Sequence, residues 1–228
     1  MDQTLTDFVI ANTSRQRAAL VPEFVLHLAS EPYRIFQAAD EAGLGRPFWA
    51  FAWPGGQAIA RWLLDHPEEV AGARVLDIGS GSGVTGLAAL RAGARHVVAN
   101  DTNPLAGIAS RLSAEAAGLS LTITAEDVLA GAGDADLILI GELFYEPEMA
   151  LRVTAFLERA AARGARVLFA DRPGVRRPPV AMEFIAEMAA ALTPDMEIDG
   201  MATARLWRLG MAGGKRPRRK PVVPASRA

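Results

Sequence analysis

The stretch from Arg74 to Gly83, RVLDIGSGSG, constrains the fold of this 228-residue chain more than any other. A short apolar run carrying one acid, Asp77, breaks directly into Gly79, Gly81 and Gly83. Glycine lets a backbone turn sharply and approach a ligand with no Cβ in the way. The residues that follow, VTGLAALRAG, have helical spacing, so the loop feeds a helix N-terminus. Strand, acid, glycine loop and helix together predict a nucleotide-cofactor site in an α/β fold.

The glycine pattern admits two cofactors. Gly81, Gly83 and Gly86 satisfy G-x-G-x-x-G, and Asp101 lies 20 residues after Gly81, where a dinucleotide site places its ribose acid. Starting at Asp77 the same residues run D-x-G-x-G-x-G, with Ser80 between the first two glycines. That form resembles the first motif of the seven-strand S-adenosylmethionine-dependent methyltransferases, which implies a loop passing over the methionine part of the cofactor. Asp77 favours the second reading, because a carboxylate repels a pyrophosphate and attracts the ammonium of methionine.

Length allows one sizeable core. Half the residues are hydrophobic and 22% are charged, as in ordinary globular domains. No apolar run has the length of a membrane span, and the N-terminus lacks the apolar core of a signal peptide. The absence of cysteine excludes disulfides, thiolate catalysis and cysteine-ligated metal, and a cytoplasmic protein is expected. His27, His66 and His96 lack metal-ligand spacing, so no metal is expected. Residues 211–228 hold six basic groups and no acid among prolines and glycines, which predicts a disordered, solvated tail. The first 210 residues hold 18 basic against 26 acidic groups, a net of −8. Neither a membrane nor a nucleic acid is the expected partner, and a monomer is expected.

Along the chain, strand and helix patterns alternate with short turns, which predicts a mostly parallel, Rossmann-like sheet. Strands are expected at Arg74–Ile78, His96–Asn100, Leu121–Ala125, Asp136–Gly141 and Arg166–Ala170, with helices at Val84–Ala92, Pro104–Ala117 and Pro147–Ala162. A further helix is expected over Pro178–Leu192, then strands at Met196–Asp199 and Thr203–Leu209. Upstream, Pro22–Ala42 reads as two short helices and Pro54–Asp65 as another. The expectation is one domain over residues 1–210, with an N-terminal helical cap over 1–65 and the sheet core over 66–210. Ligands of such sheets bind beyond the carboxyl ends of the strands. Those ends carry Asp77, Asp101, Glu126–Asp127, Gly141–Glu142 and Asp171, an acidic rim suited to a cationic cofactor with a ribose and an exocyclic amine. Asp101 would accept the ribose hydroxyls and Asp127 the adenine amine.

Five segments carry a more specific likeness: FWAFAWPGGQAIARWLLD (Phe48–Asp65), VLDIGSGSG (Val75–Gly83), ANDTNPLAGIA (Ala99–Ala109), DLILIGELFYEPEMA (Asp136–Ala150) and DRPGVRRPP (Asp171–Pro179). In order and spacing they resemble the seven-strand protein-lysine methyltransferases that act on the electron transfer flavoprotein β-subunit, from about residue 10 to residue 210. The resemblance implies a class I methyltransferase sheet whose last strand is antiparallel, S-adenosylmethionine as cofactor, and the flavoprotein β-subunit as protein substrate. It implies that Trp53 borders the cofactor, that Gly79 and Gly81 run along it, and that Asp101 holds the ribose. Asp77, Ser80, Gly83, Asp127 and Gly141 complete the expected cofactor site. Glu142 and Tyr145 take the acid and aromatic positions beside the target lysine, Glu142 standing where the family often has aspartate.

Methyl transfer to lysine needs a neutral amine, and deprotonation from a pKa near 10.4 costs roughly 4 kcal/mol at about pH 7.4. An aromatic channel lowers that cost, and Phe144, Tyr145, Trp49 and Trp53 are the expected walls. Glu142 is expected to capture and orient the lysine, and Arg172, Arg176 and Arg177 to grip acidic groups on the protein substrate. Other readings remain at this point. They are a class I methyltransferase for a ribosomal protein or small amine, a nicotinamide-dependent oxidoreductase, and a non-catalytic cofactor-binding module. A serine hydrolase is excluded, since neither Ser80 nor Ser82 sits in G-x-S-x-G.

Overall fold

Beyond the glycine loop, strand and helix alternate as the spacing predicts. The computed structural model describes residues 3–131, 134–144, 146–175, 180–191 and 201–209. β3 (Arg74–Ile78), β4 (His96–Asn100), β5 (Thr122–Thr124), β6 (Leu137–Gly141) and β7 (Arg166–Asp171) are joined by α4 (Val84–Arg91), α5 (Pro104–Ala117) and α6 (Pro147–Ala162). α3 (Pro54–Asp65) precedes them, and β8 (Met182–Ala191) and β9 (Met201–Leu209) follow. α3, α5 and α6 each open with proline, whose fixed φ and missing N–H cost nothing at a first helical position.

The seven strands lie in the order β5-β4-β3-β6-β7-β9-β8. β3 pairs in parallel with β4 and β6, and β4 with β5 and β6 with β7 extend the parallel array. β9 runs antiparallel to both its neighbours, β7 and β8. A dinucleotide-binding sheet continues 3-2-1-4-5-6 without a reversed strand. Here a reversed strand stands between the fifth and sixth, which is the methyltransferase sheet that the resemblance implied.

The central strands are apolar on both faces because helices cover both. Leu76, Ile78, Ile138, Ile140, Val167 and Phe169 pack on Val153, Phe156 and Leu157 of α6. Val75, Leu137, Leu139 and Leu168 pack on Ile59 and Leu63 of α3 and Ala89 of α4.

Two expectations are corrected. The cap is mixed rather than helical: α1 (Gln3–Asn12) leads into a hairpin of β1 (Ser14–Ala18) and β2 (Val21–Leu28), and only α2 (Pro32–Glu41) is helical within the span read as two helices. In β2 the buried Phe24, Leu26 and Leu28 alternate with less buried residues, a period of two, and pack with Val21 on Leu87 of α4 and Ala114 of α5. The helix expected over Pro178–Leu192 is also absent where described, since Met182–Ala191 is a strand. Its alanines, methionines and glutamates favour a helix, but pairing with β9 overrides propensity. Phe184 meets Trp207 edge-on at 5.0 Å, and Arg205 Nε donates to Glu187 Oε2 at 2.6 Å. The strand expected at Met196–Asp199 and the basic tail lie outside the described residues. No described helix is long and apolar enough to cross a membrane.

Candidate functional site

A cavity of about 380 Å³ lies at the carboxyl ends of the parallel strands, within the usual range for small-molecule sites. Its first wall is the glycine loop after β3. Gly79 and Gly81 line it with left-handed φ values of 68° and 50°. A Cβ on Gly79 would stand 2.7 Å from the side chain of Leu143, so the loops after β3 and β6 touch through a position only glycine fits.

The loop after β4 brings Asp101 to the cavity. Gly81 N–H donates to its Oδ2 at 3.1 Å and Asn103 N–H to its Oδ1 at 2.9 Å, so two backbone groups fix the carboxylate. Burial raises its pKa above the usual range, against the pull of those two N–H groups. Asn103 Oδ1 in turn accepts from Leu105 N–H at 2.9 Å and caps α5. After β5, Asp127 accepts from Leu129 N–H at 3.2 Å and pairs with Arg152 of α6. Ile78, Val128, Leu129 and Met149 supply apolar lining.

At the far end of β6, Glu142 has φ 54°, the single left-handed non-glycine among the described residues. Such a conformation costs of order 1 kcal/mol or more and persists only where neighbours impose it. Its N–H donates to Ala170 O at 3.0 Å. Its side chain is 8% exposed, with Oε2 lying 3.4 Å from Arg172 Nε. Oε1 accepts from Gly55 N–H at 2.6 Å. Gly55 is in the first turn of α3, whose N-cap Trp53 offers no side-chain bond, so Glu142 caps that helix from another element. A Cβ on Gly141 would lie 3.0 Å from Gly56 N, and one on Gly55 would lie 2.9 Å from Ala170 O. The W-P-G-G and G-E-L-F segments are thus two sides of one backbone-to-backbone contact.

Aromatic groups before α3 complete the lining. Trp53 Nε1 donates to Phe48 O at 2.8 Å, and its ring meets Phe48 at 6.1 Å and Phe51 at 5.7 Å. Trp49 is buried beside them. Over 216 residues the chain is 33% identical to the electron transfer flavoprotein β-subunit lysine methyltransferase of Rattus norvegicus, a match covering 91% of this chain and 85% of that protein.

The chain belongs to that family. Other comparisons speak to the frame around its site. The model of the ribosomal protein L11 methyltransferase family (PrmA) matches residues 61–143 of this chain. A candidate RNA methyltransferase of Pyrococcus horikoshii superposes with a TM-score of 0.55 at 18% identity, covering 72% of this chain and 88% of that one. Magnesium protoporphyrin IX methyltransferase of Synechocystis PCC 6803, solved with S-adenosylmethionine bound, gives 0.50 at 16% identity, covering 68% and 78%. At those identities the two structures show a shared fold.

Within this family member, six of the residues expected at the cofactor line the cavity: Trp53, Gly79, Gly81, Asp101, Asp127 and Gly141. Asp77, Ser80 and Gly83 stand behind the lining. Asp77 shares a strand face with Val75 and is 2% exposed, and its Oδ2 has no hydrogen-bond partner among the described residues. Burial pushes its carboxyl up to about 7, against the pull of the Gly86 backbone N–H. Ser80 closes the loop by donating its N–H to Asn100 O at 2.9 Å and accepting from Gly83 N–H at 2.8 Å. Glu142 lines the cavity as expected, whereas Tyr145, Arg176 and Arg177 lie outside the described residues. Phe144, expected as a channel wall, is 4% exposed and meets Phe169 edge-on at 5.0 Å in the core. Phe48 lines the cavity instead. Arg172 faces Glu142 from the rim, where an outward grip on the substrate was expected.

Sequence reading missed Asn103 and Arg152. Asn103 carried a signal, an Asx residue directly before a helix-opening proline. Arg152 carried none, because its ion pair with Asp127 bridges 25 positions.

Proposed function

We propose that this chain transfers methyl groups from S-adenosylmethionine to lysine side chains of the electron transfer flavoprotein β-subunit. The observation that carries the reading is Glu142: a carboxylate 8% exposed, in an imposed left-handed turn, lining the same cavity as the backbone-clamped Asp101. Family membership supplies the substrate class. The match to ribosomal protein L11 methyltransferase covers α3 to β6 and supports a shared cofactor half without bearing on the target.

The donor set fits the cofactor. Asp101, already holding two N–H groups, keeps lone pairs for both ribose hydroxyls. Asp127, which lines the cavity with Val128 and Leu129, would accept the adenine amine. Gly79 and Gly81 let the methionine end approach the loop. When bound, S-adenosylmethionine supplies a methyl on a positive sulfur: the lysine Nζ lone pair forms the N–C bond, the C–S pair stays on sulfur as S-adenosylhomocysteine, and the extra proton leaves to water. The residues of the chain mainly align and desolvate. Phe48, Trp49 and Trp53 make a wall that disfavours an ammonium. Glu142 accepts a hydrogen bond from the amine and aims it.

Lysate from a strain lacking this gene, incubated with the purified chain and methyl-labelled S-adenosylmethionine, tests the reading. Label on lysines of the flavoprotein β-subunit is the expected result. Label on a different protein would keep the chemistry and reject the target, and bound cofactor with no labelled protein would reject the transferase reading. With the flavoprotein as substrate, Glu142→Gln should lower turnover by about tenfold or more, on the order of one charged hydrogen bond. Unchanged turnover and unchanged apparent affinity together would remove Glu142 from this role.

A further inference from the structure

Glu142 poses a difficulty for the reaction just described, and Arg172 answers it. An isolated carboxylate beside the target amine stabilises the ammonium, the form that cannot accept a methyl group. In this structure the carboxylate is not isolated. Oε1 takes the Gly55 N–H at the positive end of α3, and Oε2 faces the Arg172 guanidinium at 3.4 Å. Both side chains line the cavity, Glu142 nearly buried and Arg172 40% exposed. A guanidinium stays charged throughout the accessible pH range, so the compensation is permanent.

We propose that Arg172 is a positioning residue that sets the protonation of the substrate lysine: its charge cancels that of Glu142, which then orients the amine without holding it as an ammonium. The inference rests on lysine being the acceptor. Among the described residues, these other charged groups face the pair or the cavity it lines. Asp171, at the end of β7, accepts the N–H of Arg172 at 2.7 Å, and burial pushes its carboxyl up to about 6 against the pull of the Arg172 charge, so above that pH it draws on the same guanidinium. Arg205, opposite Asp171 on β9, is bound to Glu187. α3 presents backbone N–H groups only. Across the cavity, Asp127 is paired with Arg152, Asp101 is held by backbone N–H groups, and Arg46 lies over the Phe48 ring.

The test is the pH dependence of kcat, which reports groups in the bound complex, for methylation of saturating purified flavoprotein β-subunit by the wild type, R172Q and R172K. In R172Q the acid limb should move up by about one pH unit, so that activity near pH 7 drops about tenfold and recovers as pH rises. R172K, which keeps the charge, should stay near the wild-type profile. A uniform loss at every pH in R172Q, or no change, would overturn the proposal. Asp171 also titrates, so the comparison is repeated in a D171N background. A shift that persists there belongs to the lysine, and one that vanishes belongs to Asp171 and overturns the proposal. No transfer by the wild type at any pH would instead reject the flavoprotein target, and the Arg172 role with it.

Discussion

Glu142 keeps a conformation that glycine would adopt freely, and the residues around it show why the cost is tolerated. Gly55, Gly56 and Gly141 bring α3 and β6 so close that the turn after β6 has little room to relax. Gly55→Ala would drive a methyl against Ala170 O and Glu142 Cγ, both at 2.9 Å. A loss of about 1–3 kcal/mol in unfolding free energy is expected from overpacking, read by denaturant titration, with methyl transfer falling in step. Asp77 gives a prediction with a sign. Its folded pKa of about 7 stands above the ordinary 3.8, so the folded state holds a proton that the unfolded chain releases. The stability it contributes is complete below about pH 4 and is lost as pH rises to about 7. Asp77→Asn should flatten that part of the decline, seen in urea midpoints across the same window. Among single residues, Asp101 and Glu142 were legible because an acid at the end of a parallel strand has few places to point other than the ligand crevice. Asp77 stands behind the lining, since alternate residues of a strand face opposite layers and the sequence does not mark which layer holds the cavity.

Three of the helices that open with proline were legible to the residue: Pro54–Asp65, Pro104–Ala117 and Pro147–Ala162 begin and end where the spacing predicts, whereas Pro32–Glu41 does not. Proline fixes the start, and the apolar period carries the rest. Where two elements share similar composition the pattern failed. β8 is built from helix-forming residues and becomes a strand because Met182 through Ala191 lie along β9. β2 alternates only over eight residues and rests on α4 and α5, partners invisible at the local level. The helix caps divide the same way. α5 carries its own cap in Asn103, and Asn103→Ala should cost about 1 kcal/mol in the denaturant midpoint. α3 borrows its cap from Glu142, 87 positions away, a relation that only the folded chain reveals.

For the whole molecule, the alternation of elements predicted a parallel sheet, while the reversed strand came from the family resemblance alone, because strand order leaves no local trace. Ligand choice is a property at this scale. S-adenosylmethionine at about 100 times its Kd should raise the unfolding free energy by about 2.7 kcal/mol, visible as a higher melting temperature, and NAD should leave it unchanged. Asp101→Ala should abolish the rise; a rise with NAD instead would reopen the dinucleotide reading. The sheet order also sets a timetable. Among the described residues β8 touches the sheet only through β9, which is made after it and must enter between β8 and β7. A chain emerging from the ribosome can close its parallel half, β3 to β7, as each strand arrives. Until residues 201–209 have been made, β7 keeps an open edge and β8 has no neighbour to pair with. Translation pausing near the end of β8 would prolong that exposed interval, so synthesis speed over this one stretch governs how long the unfinished sheet is open to wrong partners.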